Sequence, residues 1–374
     1  MPTRREFLKK SALACSCCSL FPGPGFSTPL PGSSPRETVL HEARYYEKLE
    51  GGQVICRLCP RECQVADKER GYCGVRENRE GIYYTLVHSN ICAAHVDPVE
   101  KKPIYHFLPG TKAYSIATAG CNIECKFCQN WEISQFRPEQ IPSKSLTPKE
   151  VVSTAEGYGC RSIAYTYTEP VVFYEYMYDC AQAGRARGIK SVMISNGYIQ
   201  EKPLRDLLPV LDAVKIDLKA FTESFYRSMC SGALKPVLKT LEVLKESGIW
   251  FEIVVLIIPF RNDSREEIES MCRWIVDHLG PHIPVHFTRF HPTYKIKDLP
   301  RTPLKTLEDA YDIAVKSGLS FAYIGNVPGH AGEYTRCPGC HEVLVRRQGF
   351  WISETAIKAG CCIHCGKKVP GIWN

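Results

Sequence analysis

Residues 113–131 read AYSIATAGCNIECKFCQNW. The opening AYSIATAG is a short apolar run closed by glycine, the composition of a strand in a buried parallel sheet. Directly behind it, Cys121, Cys125 and Cys128 fall within eight positions. Structural metal sites ordinarily take four ligands. Three thiolates in one loop can hold three corners of a [4Fe–4S] cube and leave the fourth iron without a protein ligand. An open coordination position is what separates a reacting metal centre from a closed one. Spacing alone also allows a zinc site, or a ferredoxin-type cluster completed by a remote cysteine.

The strand pattern repeats along the chain. Runs at 113–120, 162–169, 191–197, 213–219, 251–259, 285–290 and 321–326 are rich in Val, Ile, Tyr and Phe. Helix-like segments lie between them. Thr147-Pro148-Lys149-Glu150 supplies an N-cap, a first-turn proline and an acidic start for a helix toward Tyr158. Segments 171–187 and 236–246 follow, and Asp263 to Glu267 opens another toward Leu279. Alternating β and α at this spacing predicts an α/β fold with parallel strands and helices outside, a partial or full TIM-like barrel. The functional rim of such a fold is where strands finish. Those ends carry the cysteine loop, Glu169, Asn196, Asp217, Lys219, Asn262 and His291.

Composition is that of a globular protein: 374 residues, 44% hydrophobic and 23% charged, enough for one large domain with smaller attachments. Net charge is +7, of which Arg4, Arg5, Lys9 and Lys10 against Glu6 account for +3. No basic tract interleaved with aromatics argues for nucleic acid. Thr3-Arg4-Arg5-Glu6-Phe7-Leu8-Lys9 resembles a twin-arginine export signal, and Pro, Gly and Ser enrich the linker-like stretch from Phe21 to Pro35. The alternative is a basic tail; without export the chain is cytoplasmic, where its cluster would be assembled in either case. No run reaches the roughly 18 apolar residues of a membrane span.

The twenty cysteines fall in groups. Cys337-x2-Cys340 and Cys362-x2-Cys365 form two knuckles, a zinc-ribbon or rubredoxin-like signal for zinc or iron. Cys361 and His364 are spare donors beside them. Cys56, Cys59, Cys63 and Cys73 make an auxiliary candidate site for zinc or a second iron–sulfur cluster. Cys92, Cys160, Cys180, Cys230 and Cys272 stand alone, as buried small hydrophobes do. His88, His95, Asp97, Glu100, Lys101, Lys102 and His106 crowd a connector read as solvated. The resulting division is a signal and linker at 1–35, a Cys-rich module and connector at 36–110, a barrel at 111–330 and a four-cysteine tail at 331–374.

GCNIECKFC resembles the radical S-adenosylmethionine (radical SAM) signature, with Phe127 as its aromatic residue. The resemblance implies a partial (β/α)6 barrel in which Cys121, Cys125 and Cys128 hold a [4Fe–4S] cluster. It also implies SAM on the open iron, and a low-potential flavodoxin- or ferredoxin-like electron donor. Further motifs are similar to the pyruvate formate-lyase activating enzyme branch. Where that branch has Gly-Gly-Glu-Pro this chain has Tyr167-Thr168-Glu169-Pro170, with the Thr168 carbonyl placed for the SAM amino group. Ser195-Asn196-Gly197 matches the third-strand motif. Asp217-Leu218-Lys219 matches the fourth, whose charged groups hold the ribose and carboxylate, and Arg289-Phe290-His291 the sixth, whose histidine contacts SAM.

A still closer resemblance covers nearly all of residues 50–374. CRLCPREC, GYCGVREN, HVDPVEKKPIYHFLPG, SIAYTYTEPVVFYEY and RFHPTYK resemble the AmmeMemoRadiSam system radical SAM proteins, implying Memo-like and AMMECR-like domain proteins as partners. The expected function is reductive cleavage of SAM to a 5′-deoxyadenosyl radical that abstracts hydrogen from a substrate the sequence leaves unspecified. The alternatives are a glycyl-radical enzyme activase acting on a partner protein, and a non-catalytic electron carrier or zinc scaffold.

Overall fold

A computed structural model describes residues 40–374, which form one compact unit; the signal and linker expected at 1–35 lie outside the described residues. All seven strand-like runs become strands of one sheet: β2 (Lys112–Ala117), β3 (Ser162–Tyr165), β4 (Lys190–Ser195), β5 (Ala213–Asp217), β6 (Trp250–Ile257), β7 (Val285–Arg289) and β8 (Ala322–Gly325). They pair in parallel and in chain order. A doubly wound sheet reverses its strand order midway; this one does not. An eighth strand, β1 (Ala93–Pro98), runs antiparallel along the β2 edge. The connector read as solvated thus contributes an edge strand to the sheet.

Local sequence explains the helix starts. In α1 (Pro148–Gly157) the Thr147 N–H donates to Glu150 Oε2 at 2.7 Å and the Glu150 N–H returns to Thr147 Oγ1, satisfying donors that a helix start leaves free. Ser264 caps α6 (Arg265–Leu279) by accepting from the Glu267 N–H. Between these lie α2 (Tyr174–Arg185), α3 (Glu201–Leu207), α4 (Glu223–Cys230) and α5 (Leu234–Ser247), and α7 (Leu304–Lys316) follows. Strand β6 is buried at nearly every position, as expected where both faces of a parallel sheet are covered.

Short antiparallel strands of residues 41–85 build the N-terminal part. It docks through a buried ion pair between Arg76 and Glu175 of α2. The C-terminal part folds as a hairpin of Val343–Gln348 and Trp351–Thr355 followed by a short strand pair.

At the strand starts, one polar knot ties these parts together. Glu252 accepts from the backbone N–H groups of Tyr105 (3.0 Å) and His106 (2.8 Å) and bonds His286 Nε2 at 2.7 Å. The His106 ring bridges the Pro370 carbonyl (2.7 Å) and the Tyr323 hydroxyl. Arg347 donates to the Tyr105 carbonyl and to Thr335.

Burial pushes the His106 imidazole down to about 4. Burial alone would raise the Glu252 carboxyl, but His286, His106 and the backbone donors hold it at about 2. Both shifts act in one direction. The unfolded chain binds protons that the folded one refuses, at His106 between pH 6.5 and about 4 and at Glu252 between 4.5 and about 2. The stability of His106→Gln to urea, relative to the wild type, is therefore expected to rise on acidification from pH 7 to 5. A pH dependence unchanged by that substitution would rule out His106 as the cause.

Candidate active site

A cavity of about 470 Å³ opens at the strand ends, within the about 300–1,000 Å³ of small-molecule sites. Cys121, Cys125, Cys128 and Phe127 line it together with Thr168, Glu169, Asn196, Asp217 and Lys219, among others. Strand geometry explains why ends so far apart in sequence converge: successive parallel strands finish on one edge of the sheet. Of the rim residues singled out from sequence, Asn262 and His291 do not join them; Asn262 is buried and donates to the Lys219 and Leu256 carbonyls. His291 lies two residues past β7, is exposed, and is absent from the cavity wall, to which β7 instead contributes Thr288.

Glu169 is buried and its carboxylate is fully engaged. Oε1 accepts from the Ser195 hydroxyl (2.7 Å) and the Val171 N–H (3.1 Å), and Oε2 from the Asn196 N–H (2.8 Å). Burial pushes this carboxyl up to about 7 against those three donors. Asn196 in turn donates to Asn122 Oδ1 at 2.9 Å and lies 3.8 Å from Cys121 Sγ. Asn122 donates to the Tyr198 carbonyl. The ends of β3 and β4 are thus joined to the cysteine loop. Thr168 donates to the Thr118 carbonyl at 2.8 Å, and Ser134 contacts Cys128 Sγ at 3.3 Å.

The departure from Gly-Gly-Glu-Pro has a structural answer. Tyr167 takes φ +65°, the left-handed region that glycine adopts freely. Holding a tyrosine there costs on the order of 1–3 kcal/mol, offset by contacts glycine lacks. Its hydroxyl bonds Asp97 and its ring lies 4.9 Å from Lys102 Nζ, while its backbone carbonyl, as glycine's also could, accepts from Asn130 Nδ2 at 2.7 Å. Asp97 also pairs with Lys101 and Lys102, which line the cavity. Burial lowers the Lys102 ammonium to about 8.

Lys215 is a cavity residue that sequence reasoning passed over. Lys215, Asp217 and Lys219 alternate along β5 and its end, and period 2 puts such residues on one face; that signal could have found it. Asp217 lies between both ammonium groups. Burial alone would raise its carboxyl, but Lys215 and Lys219 hold it near 2. Cys230, one of the lone cysteines, is buried and does not reach the cavity wall.

The C-terminal quartet assembles as its spacing predicts. Cys337, Cys340, Cys362 and Cys365 bring their sulfurs within 4.8 Å of one another, with Cys337–Cys365 at 3.5 Å and Cys340–Cys362 at 3.7 Å. Four sulfurs about 2.3 Å from one tetrahedral ion stand about 3.8 Å apart, so the set fits a single metal. Backbone N–H groups of Gly339 and His364 point at Cys337 and Cys362. Among the described residues His41, His88 and Asp179 also gather. There the imidazole rings stack at 3.9 Å, 5° from parallel, and His88 is bonded at both nitrogens. Parallel rings direct their in-plane lone pairs side by side rather than onto one ion.

Residues 115–275 match the Radical SAM superfamily. The uncharacterized protein MJ0808 of Methanocaldococcus jannaschii is 46% identical over 332 residues, 88% of this chain and 99% of that protein. The (2S)-3-sulfopropanediol dehydratase activating enzyme of Klebsiella oxytoca is 25% identical over 235 residues, 61% of this chain and 72% of that enzyme. Among solved structures, a radical SAM methyltransferase from Sphaerobacter thermophilus covers 61% of this chain and 71% of its own at 17% identity and TM-score 0.46. A radical SAM domain implies a [4Fe–4S] cluster and SAM; the chain carries that domain over residues 115–275 and belongs to one family with the M. jannaschii protein.

Proposed function

We propose that the chain cleaves SAM reductively and uses the resulting radical to abstract hydrogen from a substrate admitted at the strand-end cavity. The observation that carries this reading is the cavity wall: three cysteines, Cys121, Cys125 and Cys128, line it together with carboxylate, amide and ammonium groups. The donor set fits the implied cofactors. Three soft thiolates suit an iron–sulfur cluster and leave one iron open. In the same cavity, cations and acceptors suit a ligand with a carboxylate, an amine and a ribose. When bound, the cluster and SAM supply one-electron cleavage of a carbon–sulfur bond and a 5′-deoxyadenosyl radical.

The chain's own residues bind, orient and shield. Cys121, Cys125 and Cys128 hold the cluster, with Phe127 packed behind them. Lys219 and Lys215 offer positive charge to a carboxylate, and Asp217, held ionised between them, accepts from hydroxyls. Asn196 and the Thr168 backbone supply amide and carbonyl groups. Glu169, its oxygens engaged within the protein, is a positioning residue that fixes the Thr168 and Asn196 segments. His291 takes no part in this arrangement. The quoted motifs favour the AmmeMemoRadiSam type, with a low-potential protein donor. In the C-terminal tail, four thiolates spaced for one ion suit a closed structural site for zinc or iron.

A second reading, activation of a glycyl-radical enzyme, draws on the resemblance to enzymes named as activating enzymes of a dehydratase and of benzylsuccinate synthase. It predicts a stable complex with a glycyl-radical partner, which the first reading does not require.

The deciding experiment reconstitutes the full chain without oxygen, reduces it, adds SAM and measures 5′-deoxyadenosine. Product is expected in the wild type and in Cys230→Ala, and none in Cys121→Ala/Cys125→Ala/Cys128→Ala. Loss of SAM binding in the fully loaded wild type would overturn the reading in favour of an electron carrier. In Glu169→Gln, an amide NH2 faces a donor where a carboxylate oxygen stood, leaving a buried N–H or O–H unpaired at a cost of about 1–3 kcal/mol. SAM affinity is expected to drop about tenfold or more in that variant, by equilibrium dialysis; unchanged affinity would remove Glu169 from the positioning role.

A further inference from the structure

We propose that Cys56, Cys59, Cys63 and Cys73 ligate a second iron–sulfur cluster rather than a zinc ion. The inference concerns a site apart from the SAM cavity and does not depend on how that cavity is read.

The four residues come from two separate turns, yet all line one internal cavity together with Arg76 and Tyr83. Sulfur spacing separates the cases. One tetrahedral ion draws all four sulfurs to about 3.8 Å from one another, as the C-terminal quartet shows. Among the described residues, neither the N-terminal quartet nor the Cys121–Cys125–Cys128 triad gathers three ligand atoms within 4.8 Å. In a cluster each thiolate binds a different iron, or shares one with at most one other, so the sulfurs stand around a larger core. The N-terminal quartet shares the wide arrangement of the triad.

The surroundings fit an anionic thiolate cluster. N–H donors face two of the sulfurs, Tyr72 N at 3.4 Å from Cys63 Sγ and Arg76 Nη1 at 4.0 Å from Cys56 Sγ. Such donors stabilise and tune iron–sulfur centres. Arg76 is 1% exposed and keeps an unpartnered Nε, and the fully buried Tyr83 hydroxyl on the cavity wall has no partner in the protein. Buried polar groups left without partners call for an occupant.

The cavity backs directly onto the cysteine loop of the SAM site. Asn122, Val171 and Val172 line it, and Arg61 donates to the Asn122 carbonyl. A Cβ on Gly120 would stand 2.9 Å from the Cys73 carbonyl and 2.6 Å from Val75, so glycine is what lets the two cysteine segments touch.

The test uses the full chain carrying Cys121→Ala, Cys125→Ala and Cys128→Ala, reconstituted anaerobically with iron and sulfide. Iron, zinc and acid-labile sulfide are counted, and Mössbauer spectra recorded. About four irons and four sulfides per chain are expected to remain, and the sulfide is expected to vanish when Cys63→Ser and Cys73→Ser are added. The C-terminal metal, retained at about one per chain, reports that this variant is folded. Mononuclear zinc or iron without acid-labile sulfide in the triad variant would overturn the proposal, as would sulfide that survives the added substitutions. SAM cleavage is not read, so the outcome is independent of the proposed reaction.

Discussion

The buried carboxylate of Glu169 is the constraint on which the candidate site depends. Placing a carboxylate out of water is costly unless donors replace the solvent. Here Val171, Ser195 and Asn196 provide them. Meeting that requirement fixes the turn after β3 against the end of β4, and Asn196 passes the constraint to Asn122 beside Cys121. One interaction therefore sets the relative position of the cysteine loop and the strand ends that share its cavity. The strained Tyr167 backbone two residues earlier is held by the same logic, through Asp97 and Asn130.

Three cysteine groups in one chain illustrate how spacing in space, rather than in sequence, distinguishes metal chemistries. The C-terminal quartet is compact and closed, suited to one ion that staples a tail too small for a large core of its own. The triad is open toward a cavity. The N-terminal quartet is wide and enclosed, with buried donors facing it. Cys-x2-Cys occurs in both quartets, and the linear motif alone does not tell them apart.

The connector deserves a different description from its composition. Polar residues between 88 and 106 suggest a solvated strap, but Asp97 lies on an edge strand, Lys101 and Lys102 reach the cavity, and Glu100 and His106 are buried. His106 and Glu252 lock this segment to the strand starts and to Pro370 near the C-terminus. The same connector thus joins the base of the sheet to the rim.

By itself the sequence determined what is local. Seven strands and the starts of α1 and α6 were legible because short apolar runs rich in Val, Ile, Tyr and Phe, and Thr-Pro or acidic helix starts, act over a few residues. The cysteine triad was legible because its three ligands sit on one loop. Tertiary structure alone decided what lies far apart in the chain. Asp97 meets Tyr167, His106 meets Pro370, and Cys73 abuts Gly120. It also left His291 exposed beyond its strand. Such contacts follow from where parallel strands end and which loops pack behind them, and no pattern of a few neighbouring residues encodes them.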